Sequence, residues 1–194
     1  MENNNQFSPS HHGLEKIILL CRSGDRSAFK ELMESHYSFT YGVAFKILHD
    51  EQKTKDVIQE TFVRVWKNIT SYNLNMKFTT WLYKIIVNLC YDRLKMESRK
   101  KKYSINFNQI ENEQTISTAP NFDTDLEKKD LTEMIIEIAQ TLPPKQKLVF
   151  SLRDLQDCSI DEISKITGIS LNSVKVNLSY ARQYIRRKFE DLEK

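Results

Sequence analysis

Apolar residues in this chain recur at intervals of three and four. Leu14, Ile17, Ile18 and Cys21 form a first stripe, and Phe29, Leu32, Met33, His36, Val43 and Ile47 a second. Val57, Ile58, Thr61, Phe62, Val65 and Ile69 form a third. This is the period of a helix, and no alternating run of useful length signals a half-buried strand. Chain breakers are scarce, with four Gly and four Pro in 194 residues, too few for the turns of a sandwich or barrel. The fold class read from the sequence is all-α.

Stop and start signals divide the pattern. Ser23-Gly24 ends the first helix, and Asp25 and Asp50 are placed to cap the second and third. A polar loop from Asn68 to Lys77 follows, and Thr79 is placed to cap a long fourth helix reaching the Lys/Arg cluster near Lys102. Leu82, Ile85, Ile86, Leu89 and Met96 share one face of that helix. From Ser104 to Thr124 the period is lost in favour of Asn, Gln, Thr, Ser and acids, a linker composition. It returns at Leu131, Met134, Ile135, Ile138 and Leu142, where Pro143-Pro144 stops one helix and opens another burying Leu148, Val149, Leu152 and Leu155. The expected organisation is a disordered segment 1–13, a helical domain 14–102, a flexible acidic linker 103–126 and a smaller helical domain 127–194.

The net charge of +3 conceals segregation. Lys84 to Lys102 carries seven basic residues against two acids, a net +5; Tyr103 to Glu127 carries five acids and no base, a net −5. Ser170 to Phe189 returns to +5 with no acid. Two basic patches on one chain point to two nucleic-acid contacts. Three dispersed cysteines (Cys21, Cys90 and Cys158) exclude a disulfide scaffold or a C-x-x-C metal site and fit a reducing cytosol. No apolar run approaches the roughly 18 residues of a membrane span, and the first residues lack the order of a signal peptide. The four His are scattered, and no catalytic set, metal spacing or phosphate-cradling glycine loop occurs. No enzyme, cofactor, metal or small-molecule substrate is expected, and the expected location is the cytoplasm.

Near the C-terminus, Ser159-Ile160-Asp161-Glu162 has capping-box spacing, Gly168 supplies a tight turn, and Ser170 is placed to cap a last basic helix. Val174, Leu178, Ala181 and Ile185 give that helix its apolar face, with Asn172, Ser173, Val176, Asn177 and Tyr180 opposite. A short helix, a glycine turn and a basic helix form a helix-turn-helix over Ser159 to Leu178, whose second helix enters the major groove. Asn pairs with adenine, Val176 suits a thymine methyl, and Lys175, Arg182 and Arg186 share a flank suited to phosphates. In the first domain, Lys84, Asn88, Asp92, Lys95 and Arg99 form a polar stripe beside Tyr72, Asn73, Asn75, Lys77, Phe78 and Trp81. Aromatic rings next to cations hold unstacked bases, or else are core.

Three ordered motifs carry a resemblance. Asp56-Val57-Ile58-Gln59-Glu60-Thr61-Phe62 with Trp66 resembles the D-x-x-Q-E-T-F-x-x-x-W signature of bacterial RNA polymerase sigma factors. Phe78-Thr79-Thr80-Trp81-Leu82-Tyr83-Lys84-Ile85, with Asn88 and Asp92, resembles a stretch of the extracytoplasmic-function (ECF) group of the sigma-70 family. Leu142-Pro143-Pro144-Lys145-Gln146, then Ile163, Gly168-Ile169-Ser170 and Val174-Lys175, resembles that group's C-terminal domain.

The resemblance implies that Asp56, Gln59, Glu60, Phe62 and Trp66 dock on the clamp coiled coil of core RNA polymerase, with the polymerase flap as a further contact. Tyr72, Asn73, Asn75, Lys77, Trp81, Lys84, Asn88, Asp92, Lys95 and Arg99 would read and melt the minus-ten element. Ser170, Asn172, Ser173, Lys175, Val176, Asn177, Tyr180, Arg182 and Arg186 would read the minus-thirty-five element of promoter DNA. The linker would run toward the RNA exit path, and an anti-sigma factor would hold the chain inactive. Direct membrane insertion is not expected.

The sequence departs from the family pattern at the upstream reader. After the Val-Lys pair the family has Ser-Arg and a later Arg, whereas this chain has Val176, Asn177 and Tyr180. That exchange implies less phosphate affinity and a different base preference. A melting loop with two Asn and no Gly likewise implies its own promoter sequence. The competing readings are a stand-alone helix-turn-helix regulator and a helical adaptor without a DNA role. The first gives no reason for Gln59-Glu60-Thr61-Phe62, and the second leaves the two basic patches and the capped helix-turn-helix as coincidence.

Overall fold

Side-chain caps open α2, α3 and α7, and a glycine closes α7. In a computed structural model, which describes residues 11–111 and 131–192, every regular element is helical. The helices are α1 (His11–Arg22), α2 (Arg26–Leu48), α3 (Glu51–Asn68), α4 (Phe78–Glu111), α5 (Leu131–Gln140), α6 (Pro144–Asp154), α7 (Ile160–Thr167) and α8 (Leu171–Leu192), with a 3-10 turn at Ile69–Ser71. The Asp25 carboxylate accepts from the amides of Ser27 and Ala28, and Asp50 accepts from Lys53 at 3.0 Å. Both caps match the sequence reading. None of the described helices is long and apolar enough to cross a membrane.

Chain contacts divide the protein into two units, Met1–Cys90 and Tyr91–Lys194, with the division inside α4. The first unit buries the predicted stripes: Ile18, Leu32, Ile47, Val65, Leu82 and Ile86 are essentially inaccessible. In the second, Leu148, Leu152, Ile163 and Val174 are fully enclosed, and Phe150, Ala181 and Ile185 join Ile138 and Leu142 in one cluster. Cys21 and Cys90 are buried and Cys158 is half-buried, and none of the three is in a disulfide among the described residues.

Four expectations shift. Helix α1 begins at His11, three residues before Leu14; residues 1–10 lie outside the described part. Helix α4 begins at Phe78, so Thr79 sits in its first turn and the Lys77 carbonyl accepts from Thr80 and Trp81. The same helix runs on to Glu111, past the expected end near Lys102 and into the expected linker. No Gly or Pro interrupts the chain there before Pro120, so helix continues where apolar periodicity has stopped. The rest of the linker, 112–126, lies outside the described residues. Met96, placed with the apolar face, is 41% exposed.

Candidate polymerase and nucleic-acid interface

Helix α3 has two distinct sides. Thr54, Val57, Ile58, Thr61, Phe62 and Val65 face the core, and Gln59 and Glu60 are exposed. Phe62, expected among the docking residues, is only 4% exposed and packs on the core side of the helix. Glu60 is tied to Arg64 one turn on at 3.2 Å. Trp66 packs edge-on against Phe29 of α2, ring centroids 4.8 Å apart, yet keeps 36% of its surface open. Asp56 is half-buried. Val63, 40% exposed, joins this face and was missed by the sequence reading. Its signal was an apolar residue lying off the buried stripe.

The loop between α3 and α4 is built on a ring cluster. Tyr72 stands edge-on to Phe78 at 5.5 Å and tilted to Trp81 at 5.0 Å, and its hydroxyl donates to the Met76 carbonyl. Tyr72 is 5% exposed, and burial pushes its phenol pKa up. Of the two readings of this ring, the structure gives the core one: Tyr72 packs against Trp81, which is half-buried. The Asn73 side chain accepts from the Asn75 amide at 3.0 Å and its carbonyl from Met76 at 3.0 Å, which tightens the loop. Asn73, Asn75 and Lys77 are exposed, as are Leu74 at 36% and Met76 at 45%. Those two apolar tips were not singled out from sequence.

Along α4, Lys84 is exposed and Asn88 half-buried. Further on, Lys95 pairs with Asp92 at 2.8 Å and lies over the Tyr91 ring at 4.5 Å, while Arg99, Lys100 and Lys101 point to solvent. The acid in the stripe therefore holds a neighbouring cation.

The helix-turn-helix forms as read. Ser159 Oγ accepts from the Glu162 amide at 3.2 Å and Glu162 Oε2 from the Ser159 amide at 2.8 Å, a reciprocal cap. That bond to the charged form holds the Glu162 carboxyl below its usual range. Gly168 closes α7 at φ 72°, and Ser170 Oγ accepts from Ser173 at 3.3 Å to open α8. Asn172, Lys175, Val176 and Tyr180 are exposed, Tyr180 at 57%. Two predicted readers are engaged elsewhere. Asn177 donates its amide to the Ser173 carbonyl at 2.7 Å and to Ser173 Oγ at 3.3 Å. Arg182 is bound to Asp154 of α6. Arg186 is exposed.

Family models match both units. The model of Sigma-70 region 2 covers residues 32–100 and that of Sigma-70, region 4 covers 132–185. The chain belongs to the sigma-70 family, in its ECF group. As a sigma factor it is similar to the ECF RNA polymerase sigma factor SigW of Bacillus subtilis, at 27% identity over 92% of this chain and 98% of that protein. It is also similar to the ECF RNA polymerase sigma-E factor of Haemophilus influenzae, at 25% identity over 92% and 96%. The sigma fold recurs in CnrH, solved in complex with the cytosolic domain of CnrY (TM-score 0.54, 19% identity, 90% of this chain and 96% of that one). It recurs again in the sigma factor RpoE from Bartonella quintana, solved with the anti-sigma factor NepR (TM-score 0.56, 18% identity, 84% and 96%). Both sigma regions thus fall on the helices that carry the candidate residues.

Proposed function

We propose that this sigma factor binds core RNA polymerase through α3, opens the minus-ten element with the Tyr72–Lys77 loop and α4, and reads the minus-thirty-five element with α8. One observation carries the reading: a single chain holds both an exposed Gln59, Glu60, Val63 and Trp66 face on α3 and a capped, basic helix-turn-helix. A stand-alone regulator needs only the second.

Opening would be driven by binding. Trp81, supported from below by Tyr72 and Phe78, offers a ring to a flipped base. Stacking of that kind is worth about 1–3 kcal/mol per base, against an unstacking cost of a few kcal/mol. Lys84 and Arg99 would follow the backbone of the melted strand. In the second unit, a groove of about 730 Å³ lined by Leu131, Ile135, Phe150, Leu155, Ile185 and Phe189 is the seat proposed for the polymerase flap. The acidic linker 103–126 is assigned the path toward the RNA exit channel, and an anti-sigma factor the role of holding the chain off polymerase. The site of action is the cytoplasm.

Run-off transcription with purified core enzyme tests the proposal. Promoter-specific transcripts are expected only when the chain is added. Operator binding by the free chain, with no effect on core enzyme, would select the stand-alone regulator instead.

A further inference from the structure

We infer that Arg22, the last residue of α1, is a positioning residue for strand opening. It lies outside both stretches matched by the family models and outside every residue set assigned above. The inference rests on the reading of the Tyr72–Lys77 loop as the strand-capture element.

The Arg22 guanidinium bridges two carbonyls far away in sequence. Its Nε donates to the Ile69 oxygen at 3.1 Å, and its Nη2 donates to the Tyr72 oxygen. Both acceptors sit where the chain leaves α3 through the 3-10 turn. Helix ends leave carbonyls without intrahelical donors. Here the backbone supplies only a long Tyr72 amide contact to the Ile69 oxygen, at 3.4 Å. A planar guanidinium with two donors fixes the separation and direction of both carbonyls at once, which an ammonium cannot do. Tyr72 is the floor of the ring cluster, packed against Phe78 and Trp81. Holding the Tyr72 backbone therefore sets the height and tilt of the Trp81 ring and the starting point of the Asn73–Lys77 loop. Arg22 meets no base in this scheme; it acts through Tyr72.

The test uses holoenzyme and a single-stranded oligonucleotide carrying the non-template minus-ten strand of a promoter active in run-off transcription. Arg22→Met keeps the aliphatic stem and removes both donors. It is expected to weaken single-strand affinity on the order of ten-fold, with core binding unchanged. Arg22→Lys, able to satisfy one carbonyl at a time, should fall between Met and the parent. Hydrogen exchange should quicken in peptides spanning 72–77 in the Met variant and stay unchanged in α2. Should Arg22→Met fail to fold, the Lys variant carries the same comparison. Single-strand affinity within two-fold of the parent in a folded variant would overturn the proposal. Trp81→Ala is measured alongside. If it too leaves single-strand affinity unchanged, the loop reading has failed; if it weakens binding while the Arg22 variants do not, the role of Arg22 alone has failed.

Discussion

Arg182 of α8 and Asp154 of α6 meet through two parallel bonds, Nε to Oδ2 at 3.1 Å and Nη2 to Oδ1 at 2.5 Å. The pair links α8 to α6 and neutralises a cation on the flank proposed to meet phosphates. Asp154→Asn removes that counter-charge at nearly constant shape. The expected result is tighter binding of the holoenzyme to an upstream-element duplex. Its salt dependence should steepen by about 0.9 in log–log slope, the value for one added phosphate contact. Folding stability should change little, since Arg182 is largely solvated and such pairs are worth about 0–1 kcal/mol. Fluorescence anisotropy across a salt series reads both quantities, and an unchanged slope would reject the idea.

The two asparagines of α8 should not behave alike. Asn172 is exposed in the first turn, whereas the Asn177 amide is already donated to Ser173. Asn172→Ala should therefore relax preference at one upstream base pair by about 1–3 kcal/mol, and Asn177→Ala by clearly less. Selection from a randomised promoter library orders the two, and the reverse order would show that Asn177 turns outward on DNA.

On α3, replacing Gln59 and Glu60 with lysines should weaken core binding without unfolding the domain, because both side chains are exposed. Thr61→Val is a useful companion. The Thr61 hydroxyl is buried with no hydrogen-bond partner, so removing it should raise stability by about 1 kcal/mol and leave core binding intact. Pull-down with core enzyme and urea denaturation separate the two effects.

His36 gives the fold a pH dependence of known sign. It is 7% exposed, bonded through Nδ1 to the Leu32 carbonyl at 2.9 Å, and packed edge-on to Phe78 at 4.9 Å. Burial lowers its pKa below the ordinary 6.5. The unfolded chain therefore takes up a proton at a pH where the folded chain does not. The contribution of His36 is complete above pH 6.5, falls as pH drops below it, and levels off once the folded ring is protonated. His36→Phe should flatten this part of the urea-midpoint profile between about pH 8 and about pH 5. A variant profile parallel to the parent would contradict it.

Helix existence and the buried faces were legible because the signals are local and repeated. Asp25, Asp50, Ser159 with Glu162, and Gly168 each name a helix end within a few residues. What escaped the sequence were contacts joining distant residues. Arg22 and Tyr72, or Arg182 and Asp154, are brought together by tertiary packing that no local window contains. The same blindness left Tyr72 open between a base-holding ring and a core ring, and its packing against Phe78 and Trp81 is a tertiary contact. Period-based reading also ended α4 too early, since the chain from Tyr103 to Glu111 carries Asn, Gln and Ser without a regular apolar repeat, yet no Gly or Pro to stop the helix.

Gly168 has a consequence that concerns handedness. Its φ is +72°, yet a Cβ added there would meet nothing within 4 Å. The turn has ample room and objects only to the wrong mirror image. D-alanine, installed by chemical ligation, prefers this sign of φ and should stiffen the turn by restricting the unfolded chain. L-alanine would occupy the same free space under strain. At this corner of the helix-turn-helix, chirality rather than volume is the selected property.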